Sequence, residues 1–379
     1  MKFRNSFLLC LCMVGNLACK LPKKDEIGQR QQAIDSLQQK IIVIKKQKIT
    51  LLLRYAQSKY NFNGNVLVGE AGNIWLEKSY GIADLQQKKP LTLKTTFPIA
   101  SLTQGFTATA ILQLAERNKL RFNDDLTKYY PNFPYKNIQI QHLLRQTSGI
   151  PDYLTYFFTP KNQPLTHAYK QNIMDWVLQE APPLRFPTHK AQAISSTNYV
   201  LLADIIERVS GVSFGQYLEE NIFNPLGMKQ TYLKTHNKAP TFPRATGYYD
   251  DLVRLADESY VDYVYGDSGI QSTVSDLYKW EQALYKQEIL SKKAVEQFSV
   301  PTVLGDEKIK PYSIAWTRQK AGKVLVQQGQ WLGFSASIWR IPENKQTIII
   351  LNNTQNKYVG KIAEAIYAIL QNEPYKLPE

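Results

Sequence analysis

A serine followed three residues later by a glutamine, at the head of an apolar run, is the combination in this chain that comes nearest to a catalytic motif. Ser101-Leu-Thr-Gln104 follows Thr95-Thr-Phe-Pro98, which reads as a turn. Leu102, Phe106, Ala110, Ile111, Leu114 and Ala115 then recur at steps of three and four, which predicts an amphipathic helix. Ser101 falls in its first turn, where backbone N–H groups lack intrahelical partners and the macrodipole favours negative charge. A serine oxygen there can cap the helix or act as the nucleophile of an acyl transfer. A lysine one turn further on would be the base for that nucleophile, but Gln104 holds the place. A side-chain amide donates and accepts hydrogen bonds without titrating near neutrality.

Further segments give Ser101 a context. Phe97-Pro-Ile-Ala-Ser101-Leu-Thr-Gln-Gly-Phe-Thr-Ala108 is followed by His142-Leu-Leu-Arg-Gln-Thr-Ser-Gly-Ile-Pro-Asp-Tyr153 and Ser195-Ser-Thr-Asn-Tyr-Val-Leu-Leu202. Next come Asn224-Pro-Leu-Gly-Met-Lys229, Gly266-Asp-Ser-Gly-Ile-Gln-Ser-Thr273 with Asp276-Leu277, and Gly329-Gln-Trp-Leu-Gly-Phe334. In this order they resemble the serine β-lactamase-related family of class C β-lactamases, D-Ala-D-Ala peptidases and related esterases, over about residues 61 to 370.

The resemblance implies a nucleophile and three positions that handle protons or charge. Ser101 matches the serine of Ser-x-x-Lys, and Gln104 replaces its lysine. Ile194, Ser195 and Ser196 align with Tyr-x-Asn, so an aliphatic group stands where the family has a proton-shuttling tyrosine, and Ser196 where an asparagine orients substrate. Gln327, Gln328 and Gly329 align with Lys/His-x-Gly, keeping the glycine and losing the cation. Gln146 stands where the family often has histidine. The family's oxyanion hole maps onto the backbone N–H groups of Ser101 and Gln330, which side-chain replacement leaves in place. Substrate contacts are therefore expected at Ser196, Gly329 and Gln330. Lys94 and Lys190 lie near these segments in sequence, as replacement bases or as plain surface lysines.

The elements that must position these residues sit at both chain ends. Asn65–Val68 and Ile74–Lys78, around Glu70-Ala-Gly-Asn73, read as a hairpin. Val324–Val326, Phe334–Ile341 and Gln346–Leu351 read as three more strands, with a turn at Pro342–Lys345 and a last helix presenting Ile362, Ile366, Tyr367 and Leu370. The sequence between is mainly helical. This predicts an α+β fold: an antiparallel sheet built from both ends, flanked by terminal helices, with an inserted helical lobe. The family has this architecture, with its cleft between the lobes. The expected division is a leader at 1–19, a tether and helix at 20–60, and a domain at 61–379. Within the domain, the sheet lobe covers about 61–100 and 310–379 and the helical lobe about 101–309. Between Gly28 and Gly64 there is no glycine or proline, and Ile34, Leu37, Ile41, Ile44, Leu51 and Leu52 recur at helical steps. They predict one long helix or two shorter ones, packed on the protein's own sheet or paired as a coiled coil.

At the N-terminus, Met1–Ser6 is basic, Phe7–Val14 apolar and Gly15–Cys19 rich in small residues, the pattern of a secretory signal. Asn16-Leu-Ala-Cys19 also resembles a bacterial lipoprotein site, which would put a lipid on Cys19 and the protein at the membrane of the cell envelope. Cys10, Cys12 and Cys19 all lie in this leader, so the exported body would carry no disulfide and no rival thiol nucleophile. Loss of Lys2 and Arg4 with the leader lowers the formal charge from +14 to +12. A basic surface suits anionic membranes or wall polymers, and nucleic acid is not expected without a binding motif and behind an export signal. His142, His167, His189 and His236 have no metal-ligand spacing, so no metal and no cofactor is expected. Trp331 and Tyr153, from segments that border the family's cleft, can stack on a ligand or pack in the core. Oligomeric state is left open.

Two functions follow. Loss of three titratable positions favours a pseudoenzyme that binds a small peptide, ester, lactam or glycan, or a partner, in the old cleft. The retained serine and glycine keep open an active hydrolase, an esterase, D-amino acid peptidase or β-lactamase-like enzyme, using Ser101 with a non-standard base.

Overall fold

The computed structural model describes residues 24–159, 161–163, 167–235, 242–249, 253, 255–256, 259, 261–355 and 357–376. The expected leader and Cys19 lie outside them. Two compact units divide the chain, Met1–Lys45 and Lys46–Glu379. Helix α1, Lys24–Tyr60, is one long helix, the first of the two alternatives that the repeat allows. In the first unit its described side chains, from Arg30 onward, are exposed apart from half-buried Ile42 and buried Lys45. The second unit starts at Lys46 rather than at 61, because Ile49, Leu52, Leu53, Ala56 and Tyr60 belong to its core.

A six-stranded antiparallel sheet forms the centre of the second unit. Its strands are β1 (Gly64–Glu70), β2 (Asn73–Tyr80), β3 (Thr317–Gln319), β4 (Val324–Trp331), β5 (Phe334–Ile341) and β6 (Gln346–Asn352), in the order β3-β4-β5-β6-β1-β2. The β1–β2 turn is tight because Ala71 and Gly72 both take positive φ, 49° and 86°, the geometry a two-residue hairpin needs. β5 and β6 are buried at every position, which explains the unbroken run Ile348-Ile-Ile-Leu351. Ile348 and Ile350 join Val66, Val68 and α1 in one core, while Ile349 and Leu351 join Leu67 and Ile338 in the other. Sheet side chains alternate faces, so a strand covered on both sides needs apolar residues throughout. The C-terminal helix Val359–Gln371 lies in the first of these cores through Ile362, Ile366, Tyr367 and Leu370.

On the other face is α2, Thr103–Glu116, with the helices Ser196–Ser210 and Val274–Lys286 among the elements of the same core. The expectation of an amphipathic helix after Ser101 is corrected here, since every residue from Thr103 to Leu114 is buried. Its polar positions are bonded inside the core. Thr107 Oγ1 donates to Gly266 O at 2.6 Å, and Gln113 Nε2 to the carbonyls of Asn221 and Ile289 at 3.1 and 3.2 Å. Hydrogen bonding removes the penalty of burying these groups.

Candidate functional site

Ser101 lies in a short 3-10 turn, Ala100–Leu102, just ahead of α2. Ala100 takes φ +49°, a left-handed conformation that costs an alanine about 1–2 kcal/mol. Two contacts hold the turn in place. Ile99 N donates to Ile270 O at 3.0 Å, beside the short pairing of Phe97–Pro98 with Ile270–Ser272. From the sheet, Gly329 presses on the same backbone: a Cβ there would come within 2.6 Å of Ile99 O and 2.9 Å of Ser101 N. Only glycine lets β4 approach this closely. Ser101 itself is half-buried, neither turn nor helix has a side-chain cap, and its hydroxyl makes no hydrogen bond among the described residues.

Gln104, at the lysine position, is 5% exposed, and its Oε1 accepts from the Tyr312 hydroxyl at 3.2 Å. Burial pushes the Tyr312 phenol up to about 12, so it stays protonated and acts here as a donor. The Tyr199 hydroxyl lies 3.3 Å beyond and donates to Leu144 O at 3.0 Å. Sequence reading missed Tyr312, because its relation to Gln104 spans 208 residues of chain.

The third-motif side chain is turned to structural use. Gln327, 3% exposed, donates from Nε2 to Ala315 O at 3.0 Å and lies over Gly105, whose missing Cβ would meet that nitrogen at 2.6 Å. Gln327 Oε1 is buried and unbonded among the described residues. Gln328 and Gln330, on the other face of β4, are exposed. Gln146 accepts from Ser195 N at 3.0 Å and Asn198 Nδ2 at 2.5 Å, tying its segment to the start of the helix Ser196–Ser210. Ile194 is 52% exposed. Lys94 and Lys190 are exposed and neither bonds Ser101. His142 accepts at Nδ1 from Gln139 N at 3.1 Å, and burial together with the His189 ring lowers it to about 4. Of the two candidate stacking residues, Tyr153 is buried in the core at 1% exposure, while half-buried Trp331 donates from Nε1 to Asp262 at 2.7 Å.

Beside Ser196 lies a pair of carboxyl groups that sequence reading also missed. Asp152 caps the following turn, accepting from Leu154 N at 3.1 Å. Asp267, 4% exposed, accepts from the Tyr153 hydroxyl at 3.1 Å. Burial, reinforced by the neighbouring Asp152 charge, pushes Asp267 up to about 7. A free aspartate releases its proton near pH 4, so folding retains a proton between about pH 4 and 7. That contribution to stability is complete below about pH 4 and is lost as the pH rises through about 7. Asp267→Asn removes the buried charge. The variant is expected to be ~1 kcal/mol or more stabler than the native chain at pH 8, with the difference shrinking as the pH falls and closing at about pH 4. Urea midpoints across that range check this, and parallel curves would contradict it.

Comparison with known proteins matches the profile described as Beta-lactamase to residues 54–372. A penicillin-binding protein of Bacillus subtilis (strain 168) is 33% identical over 353 residues, 88% of this chain and 78% of that protein. The octameric penicillin-binding protein homologue from Pyrococcus abyssi superposes with a TM-score of 0.75 at 23% identity, over 86% of this chain and 77% of that one. D-amino acid amidase from Ochrobactrum anthropi SV3 superposes with a TM-score of 0.72 at 22% identity, over 87% and 98%. Both structures share this fold.

Proposed function

The chain belongs to the beta-lactamase family, and from that premise we propose that it is an exported, envelope-anchored member that binds ligands in the cleft with little or no turnover. The observation that carries this reading is the state of Ser101. Its hydroxyl has no base bonded to it among the described residues, and the amide at the lysine position is already engaged by a protonated phenol. A positioned acid or base contributes about 10²–10⁴-fold in rate. Members of one catalytic unit are not additive, so replacing the first removes most of what the others could supply.

Binding needs less than turnover. The backbone N–H groups of Ser101 and Gln330 are unaffected by side-chain replacement and can donate to a carbonyl oxygen, each worth about 0.5–1.5 kcal/mol to a neutral ligand. Gly329 keeps a side chain out of the way, whereas Ser196, expected as a ligand contact, is buried at 6% exposure. The ligand class is a small peptide, ester or lactam presenting a carbonyl. The basic, apolar and small-residue pattern of Met1–Cys19 supports export and anchoring through a lipid on Cys19.

The alternative, a hydrolase with a non-standard base, has Asp267 in its favour, a buried carboxyl pushed up to about 7. Asp267 makes no hydrogen bond to Ser101, so it would need a relay to act on that oxygen. Thermal unfolding with an acetylated Lys-D-Ala-D-Ala peptide, a penicillin and an aryl ester tests the binding reading. At least one is expected to raise the unfolding temperature equally in the native chain and in Ser101→Ala, with no product formed. Serine-dependent product would favour the alternative, and no shift with any ligand would remove the binding role.

A further inference from the structure

Helix α1 carries an apolar stripe that its own unit leaves in solvent. Ile34, Leu37, Ile41 and Ile44 follow at steps of three, four and three, and are 48%, 59%, 40% and 51% exposed. In sequence the spacing continues through Lys48 to Leu51 and Tyr55, which are 64% and 39% exposed. The core residues of the same helix, Ile49, Leu52, Leu53, Ala56 and Tyr60, form a different row. Packing on the sheet accounts for that row within the second unit. The charge is one-sided over the second half of the helix, while Asp25, Glu26 and Asp35 lie in the first half. From Lys40 to Tyr60 there are no acids, and the exposed bases are Lys40, Lys46, Lys48, Arg54 and Lys59, Lys45 being buried.

We propose that this stripe docks on an anionic phospholipid surface, with its Ile and Leu side chains at the headgroup boundary and the flanking lysines on lipid phosphates. A basic helix with one row of large aliphatic side chains has the features of an interfacial segment. No helix among the described residues is long and apolar enough to cross a membrane, so α1 would lie on the surface. A second copy of the chain fits the stripe less well. Pairing would set Lys48 into a shared apolar seam and bring Lys40 and Arg54 against an equally basic helix, whereas an anionic surface supplies the opposite charge. Chain order agrees, since α1 begins at Lys24, shortly after Cys19.

This inference is tested apart from lipid anchoring with residues 20–379, which keep every described element and lack both Cys19 and the apolar leader. The chain is expected to sediment with vesicles of equal parts phosphatidylglycerol and phosphatidylethanolamine, and not with phosphatidylcholine. Binding should fall as salt is raised and drop about tenfold or more in Leu37→Glu/Ile41→Glu, whose sites are solvent-exposed and leave the core untouched. Lys40→Glu/Lys48→Glu, on the same side of the helix and exposed, should lose binding while keeping the Ile and Leu side chains. Failure to bind the anionic vesicles, or equal binding by the variants, overturns the inference. So does a concentration-dependent dimer by light scattering that Leu37→Glu/Ile41→Glu abolishes, which would assign the stripe to self-pairing.

Discussion

Trp280→Ala is expected to lower the unfolding free energy by about 3–5 kcal/mol and to loosen the serine helix. Trp280 is 1% exposed and stacks on Phe106 of α2 at 4.4 Å between ring centroids, with Trp316 at 6.1 Å on a nearly parallel plane. Its ring edge also lies 2.8 Å from where a Cβ of Gly105 would stand. Truncation would open a cavity beneath the turn that follows Gln104, against rings too rigid to fill it. Urea unfolding and near-ultraviolet circular dichroism measure both consequences. A loss under ~1 kcal/mol would mean that the core closes over the gap and that Trp280 does not support the helix.

Arg340→Met is expected to cost a similar amount, about 3–5 kcal/mol, for an electrostatic reason. Arg340 on β5 is 4% exposed, with its Nε 3.4 Å from Oε1 of fully buried Glu281 and its guanidinium 4.0 Å over the Tyr285 ring. Glu281 also accepts at Oε2 from Thr347 Oγ1 at 2.6 Å and Gln282 Nε2 at 2.7 Å. Burial raises the Glu281 carboxyl and Arg340 opposes that shift, so without the guanidinium the carboxylate is left buried and unpaired. The loss should deepen as the pH rises, because the ionised form is the one penalised. Arg340→Met/Glu281→Gln should recover most of the stability. If the double variant were as unstable as the single one, lost packing over Tyr285 would be the cause instead.

How much of this was legible depends on how far apart the interacting residues lie in sequence. The hairpin at Ala71–Gly72, the apolar run Ile348–Leu351 and the helical repeat of α1 are local patterns, and each corresponds to an element of the fold. The serine helix misled because its apolar positions suggest a single buried face, while Thr107 and Gln113 find partners at Gly266, Asn221 and Ile289, more than a hundred residues away. The resemblance leads one to expect Gln104, Ile194 and Gln327 at the family's lysine, tyrosine and cation positions, but it does not reveal what those side chains bond. Tyr312 on Gln104, Ala315 on Gln327 and Asp267 beside Ser196 are contacts created by tertiary packing. No turn signal, period or charge pattern near those residues announces them.

The most direct test of a serine without a base is to label it. The native chain and Ser101→Ala, each incubated with a fluorescent penicillin and with a fluorophosphonate and then resolved on a gel, should give the same faint background. A stoichiometric band that needs Ser101 and decays with product release would show that this hydroxyl is activated after all, and would contradict the account.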